Sequence, residues 1–192
     1  MRQFASSGFR LWNLGVEAKI LYTTFCLLTL LGVLSSALYY GDLVGPGTRG
    51  IRRYYAGEAP APEAPAAVAA GPAIDIPEGE ERARAPIVVP VSYRKLLEVT
   101  HFHLFTMPVV LLIVGHLFLA TGLGARAKRG WLVAASASVV AHLATPWLVR
   151  YGGASWAPLH ALTGGALALS MSVLTLYPVL AMWRVSLEPE RK

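Results

Sequence analysis

Val99–Leu123, VTHFHLFTMPVVLLIVGHLFLATGL, runs for 25 residues without a lysine, arginine, aspartate or glutamate, and its reading decides the fold. A helix rises about 1.5 Å per residue, so roughly 20 consecutive apolar residues span the hydrocarbon core of a bilayer. This stretch is long enough, and it is apolar all round rather than along one stripe, so it reads as a membrane helix. Ser92 is a fitting cap for a helix that enters through YRKLLEVTHFHLF, so the helix is expected to begin outside the bilayer. Pro108 inside it, and Pro146 near the end of the third stretch, are expected to kink their helices.

Working outward, three more stretches qualify: 20–40, 131–149 and 156–183. The predicted fold class is all-α: an integral membrane four-helix bundle with a long extramembrane loop between helices 1 and 2. The chain divides into a segment 1–19, helix 1 over 20–40, a loop over 41–98, helix 2 over 99–123, helix 3 over 131–149, helix 4 over 156–183 and a tail 184–192. Tyr39, Tyr40, Trp131, Trp147, Trp156, Tyr177 and Trp183 fall near the helix ends, where amphipathic rings favour the headgroup layer. The first stretch also has small residues, Ser35 and Ala37, where a signal peptide would be cut. Its length and its long charged leader favour a retained anchor.

Composition agrees with a membrane class: 55% of residues are hydrophobic and 15% charged, where soluble domains carry about 25% charged. The net charge of +6 sits beside apolar stretches and forms no basic stripe with interleaved aromatics, so no nucleic-acid partner is indicated. The single cysteine, Cys26, excludes an intramolecular disulfide, a cysteine-based zinc site and an iron–sulfur cluster.

Lysine and arginine beside the spans set the expected orientation. Arg2, Arg10 and Lys19 precede helix 1, Arg126, Lys128 and Arg129 fill the turn between helices 2 and 3, and Arg184, Arg191 and Lys192 follow helix 4. These places share one side, read as cytoplasmic, with both termini there. The loop 41–98 then faces the periplasm of a bacterial inner membrane. In that loop Arg52, Arg53, Arg82 and Arg84 are partly balanced by Asp75, Glu78, Glu80 and Glu81. Thr48 is expected to cap a short amphipathic helix through Tyr55, and EAPAPEAPAAVAAGPA reads as a proline–alanine linker over a partner subunit or lipid. The Arg52–Arg53 pair and Tyr54 and Tyr55 read as an interfacial or solvated face, with haem propionates or anionic lipid as the alternative for the arginines.

All five histidines, His101, His103, His116, His142 and His160, lie in or at the edge of helices 2, 3 and 4. Ionisable residues are normally depleted from membranes, so the gathering asks for a cause. Neutral imidazole is the commonest metal ligand and a usual axial ligand of haem. Depth suggests pairs. His103 and His160 both lie roughly 7 Å inside the periplasmic face, with His101 slightly shallower. His116 lies 15 residues beyond His101, about 22 Å deeper and about 60° round the helix, whereas His103 is about 140° from it. The expected outer site is His160 with His101 or His103, and the expected inner site is His116 with His142. Ser138 and Thr145 share the His142 face as a polar stripe that must face protein or cofactor. Gly115, Gly164 and Gly165 leave room for a flat macrocycle or for close helix packing. Zinc or copper on HFH alone is disfavoured, because side chains two apart diverge.

The motifs THFHLFTMP and GHLF in helix 2, VVAHLATP in helix 3 and PLHALTGG in helix 4 together resemble the four-helix membrane cytochromes b. That class includes the cytochrome b561 type and the membrane subunits of periplasmic hydrogenases and formate dehydrogenases. The resemblance is architectural, and helix 1 departs from it by carrying no histidine. It implies one or two haem b groups on His101, His103, His116, His142 and His160, and a non-catalytic electron-transfer role. It also implies other membrane subunits, a periplasmic redox protein and the quinone pool as partners. The competing expectation is a cofactor-free accessory or anchoring subunit with histidines as interhelical glue. A metal transporter or membrane metalloenzyme would need carboxylates converging within the bilayer, which these spans lack away from their ends.

Overall fold

The computed structural model describes residues 10–57 and 89–183, and every regular element in them is helical. The linker sequence, Arg2, Arg82, Arg84, the acidic residues from Asp75 to Glu81, Arg184, Arg191 and Lys192 lie outside the described residues. Four helices are long and apolar enough to cross a membrane. They are α1 (Val16–Val44), α3 (Tyr93–Leu119), α4 (Ala125–Trp147) and α5 (Ala157–Trp183), and a short α2 (Gly47–Ile51) sits between the first two. The protein is a multi-pass membrane protein.

Capping chemistry and turns place the boundaries. Ser92 caps α3, its hydroxyl accepting the Lys95 N–H at 3.2 Å, as the sequence predicts. The helix ends at Leu119, four residues earlier than expected, and Lys128 reaches back to donate to the Leu119 carbonyl. The basic turn is correspondingly shorter than expected: Arg126, Lys128 and Arg129 are already in the first turns of α4. Near Pro146 the α-helix gives way to a wider turn, Leu148–Gly152, because proline removes a donor from the ladder. At Pro108 the helix runs on without a break in its hydrogen-bonded class. Thr48 is not a cap. Pro46 holds that position with no side-chain bond, and the helix continues from Ile51 into a wide turn, Arg52–Ala56. Gly57 closes that turn at φ 74°, where a Cβ would come within 2.6 Å of the Pro90 ring, so only glycine fits.

The helices pack unequally. Val114 and Phe118 of α3, Ala135 and Val139 of α4, and Leu167, Met171 and Leu174 of α5 form one buried cluster. With lipid outside as apolar as the core, close packing holds such helices together more than water exclusion does. α1 lends this cluster only the partly buried Phe25 and Val33, and leaves Leu21, Leu28, Leu31, Leu34 and Leu38 exposed. At the end of the bundle that bears both termini, the Leu11 N–H bonds the Ala120 carbonyl at 3.2 Å and the Trp183 indole N–H bonds the Thr23 hydroxyl at 3.0 Å. At the opposite end, the loop end, Val44, Ile51, Val149 and Ala157 are buried together, with Tyr40, Tyr54 and Tyr55 packed against them. Basic side chains occupy both ends. Arg10, Lys19, Arg126, Lys128 and Arg129 lie at the terminal end, and Arg49, Arg52, Arg53, Arg94, Lys95 and Arg150 at the loop end, so no excess of basic residues marks one side among the described residues.

Candidate functional site

Two histidines meet inside the bundle. His142 of α4 and His160 of α5 stack with ring centroids 4.7 Å apart and planes 10° from parallel. Two threonines hold them. Thr145 donates its hydroxyl proton to the His142 carbonyl at 3.2 Å, and Thr163 donates to the His160 carbonyl at 3.0 Å. The same hydroxyl oxygens contact the imidazoles, Thr145 with His160 Nδ1 at 2.8 Å and Thr163 with His142 Nδ1 at 3.4 Å, and lie 3.3 Å from each other. Gly164 provides the space, since a Cβ there would lie 3.2 Å from His142 Cε1.

The loop end closes over this pair. Tyr55 sets its ring edge-on to His160 at 5.2 Å, and the Tyr40 ring lies 5.9 Å away. Tyr54 and Tyr55 stand edge-to-face at 4.9 Å. Tyr55 is therefore part of the lid over His160 rather than an interfacial ring, and burial raises its hydroxyl above the ordinary phenol range, with Tyr40 and Tyr54 adding to the shift. His160 is 1% exposed. Its Nε2, the Tyr40 hydroxyl and Arg52 Nε are buried polar atoms without a partner among the described residues.

The expected inner pair of His116 and His142 does not form, and His142 meets His160 instead. His142 lies five residues from the end of α4 and His160 three from the start of α5, which puts them within about 3 Å in depth. Measuring both from one flat boundary at Ser155 misses this, because the connection is taken up by the wide turn Leu148–Gly152 and the tight turn Ala154–Trp156. His116 and His142 do not meet: one lies three residues from the terminal end of α3, the other 17 residues up α4, about 20 Å apart in depth. The glycines have plainer roles too. Gly164 admits the His142 ring, and Gly115 lies against Leu132, where a Cβ would be at 3.3 Å. Ser138 and Thr145 are buried, as a polar stripe within a membrane requires.

The α3 histidines stand apart. His103 Nδ1–H donates to the Val99 carbonyl at 2.7 Å and His116 Nδ1–H to the Leu112 carbonyl at 2.8 Å. A carbonyl only accepts, so these rings keep a lone pair on Nε2, the arrangement found when histidine ligates a metal and its other nitrogen is anchored. His101 has neither bond and rests on Phe105 at 5.0 Å. His101, Phe105, Val109, Leu112 and His116 fall within about 80° of one helix face. All five are exposed, Phe105 at 67%, Val109 at 55% and Leu112 at 60%. Beside His116 a recess of about 310 Å³, lined by Leu11, Leu14, Tyr22, Leu112 and Ala120, opens on the bundle surface. Among the described residues, no three of histidine, cysteine, aspartate and glutamate are grouped to hold a metal ion.

Sequence reading misses Tyr40, Tyr55 and Thr163 as members of the inner cluster. Thr163 has a signal, its spacing of three from His160, whereas Tyr55 reaches the site through the fold-back after α1 and Tyr40 through the packing of α1 itself. No curated protein and no solved structure matches the chain. A family model for a transmembrane helical domain matches residues 45–190, from the turn after α1 onward, which takes in the three core helices and leaves out the peripheral one. The match covers well over half of the sequence, and the chain belongs to this family of transmembrane helical domains, Aq_1264_TM.

Proposed function

We propose that the chain is a haem b-binding electron-transfer subunit of a larger membrane complex, itself non-catalytic, with its iron ligands presented outward on α3. The observation that carries this reading is the exposed α3 face, which is apolar between imidazoles at its two ends, His101 and His116. An imidazole facing hydrocarbon is unfavourable without a partner, and a lone pair on Nε2 calls for an electrophile or a hydrogen-bond donor.

The donor set can be tested against the group. Two axial imidazoles would each direct a nitrogen at one iron from opposite sides, which two rings stacked on each other cannot do. His142 and His160 stack at 4.7 Å under a tyrosine lid, so this pair does not fit. His101 and His116 do fit as single ligands, each with an open side. Haem b, when bound, supplies a one-electron iron couple. The chain's own part is to hold Nε2 of each ring toward the site, with the Leu112 carbonyl anchoring His116, and to keep water away with Phe105, Val109 and Leu112. In this reading both termini are cytoplasmic in a bacterial inner membrane, the loop end meets a periplasmic redox protein, and the quinone pool is the other partner.

A second reading, a cofactor-free accessory or anchoring subunit, draws on the His142–His160 pair, which ties α4 to α5 through Thr145 and Thr163. A reduced-minus-oxidised visible spectrum with haem quantification separates the two. Reduced haem b bands are expected. A fully folded protein purified from haem-replete cells without them leaves the anchoring reading standing.

A further inference from the structure

We propose that the loop-end interior is a proton relay, in which His160, Thr145, Thr163 and His142 pass a proton between the space beneath Tyr40 and Tyr55 and the α3 side of the bundle. It holds with or without haem. Three contacts make the chain: His160 Nδ1 to Thr145 Oγ1 at 2.8 Å, Thr145 Oγ1 to Thr163 Oγ1 at 3.3 Å, and Thr163 Oγ1 to His142 Nδ1 at 3.4 Å. Every member can both give and take a proton, since a hydroxyl has one O–H and two lone pairs and a neutral imidazole has a donor on one nitrogen and an acceptor on the other. A proton arriving at His160 Nε2 releases the one on Nδ1 to Thr145, whose own proton moves to Thr163. The Thr163 proton moves to His142 Nδ1, and His142 gives up the proton on Nε2. One proton enters and one leaves, only N–H and O–H bonds form or break, and the chain resets as both rings return to their first tautomers.

The surroundings suit a relay better than a fixed clamp. A clamp needs one settled acceptor for each donor, whereas each hydroxyl here has three within reach. For Thr145 these are the His142 carbonyl, His160 and Thr163, and for Thr163 they are the His160 carbonyl, His142 and Thr145. At one end, His160 Nε2 and the Tyr40 hydroxyl are buried without a partner among the described residues, an arrangement that is unfavourable inside a membrane unless the atoms exchange with something. The titratable groups around His160 are Tyr40 of α1, Tyr55 of the wide turn after α2 and His142 of α4, with Tyr54 against Tyr55. At the other end, His142 is only half-buried and the titratable ring facing it is His103 of α3. The Trp147 indole N–H bonds the Thr100 hydroxyl at 2.9 Å and so sets the heights of α3 and α4. His142, five residues from Trp147, and His103, three from Thr100, then lie within about 3 Å in depth. Two charged imidazoles stacked at 4.7 Å would repel each other, so the pair carries one extra proton at most, and either ring can hold it.

The test is nitrogen NMR of the full chain in lipid nanodiscs, with isotope-labelled imidazoles, from about pH 5 to about pH 9. In a relay, the ring nitrogens of His142 and His160 should show shifts averaged between the two tautomers, and the pair should take up one proton between them. Thr145→Val, which keeps the shape and removes the hydroxyl, should freeze each ring in a single tautomer, and Thr145→Ser should restore the averaging. Thr163→Ala cuts the chain at its next member and should freeze the rings as Thr145→Val does. A clamp without proton transfer has fixed tautomers from the start, and the threonine variants then change stability alone. Wild-type rings each held in one tautomer over the whole range would overturn the relay, whether or not any variant folds. Averaging that survives in Thr145→Val or Thr163→Ala would overturn it too, because the proton would then move by another route.

Discussion

The loop-end interior and the outer face of α3 use the same residue type in opposite ways. Inside, His142 and His160 bond Thr163 and Thr145 through Nδ1 and stack on each other, and His160 is buried under Tyr40 and Tyr55. On α3, His103 and His116 spend their Nδ1 protons on the helix's own carbonyls, while His101 is unbonded. A histidine bonded to the next helix holds two helices in register. One bonded to its own helix holds nothing together and is free to serve something else. The difference teaches that counting membrane histidines does not find a cofactor site; what the second nitrogen faces does.

The comparison can be broken by substitution. His160→Ala removes a buried ring and leaves the Thr145 hydroxyl without its partner, so a loss of roughly 2–4 kcal/mol is expected in thermal or denaturant unfolding of the detergent-solubilised chain. Thr145→Val keeps the shape but leaves His160 Nδ1 without its partner, for a loss of about 1–3 kcal/mol that Thr145→Ser should largely restore. Gly164→Ala drives a methyl against His142 and is expected to cost about 1–2 kcal/mol, whereas Gly165→Ala, with open space around its position, should be close to neutral. On the other side of the comparison, His101→Ala and His116→Ala should leave stability within about 0.5 kcal/mol while lowering haem content. If they unfold the protein as His160→Ala does, the distinction between the regions is lost.

The smallest expected effect is one of pH. Burial raises the Tyr55 hydroxyl in the folded chain above its ordinary value near 10, so its contribution to stability is constant below about pH 10 and declines above it, as the unfolded chain ionises first. Tyr55→Phe should flatten the melting temperature over that alkaline range. An unchanged slope would place Tyr55 away from the lid.

Much of the architecture was legible in particular residues. The uncharged 25-residue run at Val99–Leu123 and its three counterparts located the spans, because backbone groups in hydrocarbon must bond within their own helix. Ser92 announced the start of α3, since a serine hydroxyl before an apolar run accepts an orphan N–H. Ser138 and Thr145 announced a buried face. The pairing of histidines was not legible. It depended on the relative height of the helix ends, which the turns at Leu148–Gly152 and Ala154–Trp156 set. Nor was the lid, because Tyr55 reaches His160 only through the fold-back at Gly45 and Pro46, and Tyr40 only through how α1 packs on α5.

By itself, then, the sequence determined that this chain spans a membrane with four helices and carries its imidazoles within them, since length and apolarity are local properties. The tertiary structure decided which imidazoles face each other and which face outward. That depends on the relative height and rotation of separate helices, which are set by turns and packing between residues far apart in the chain.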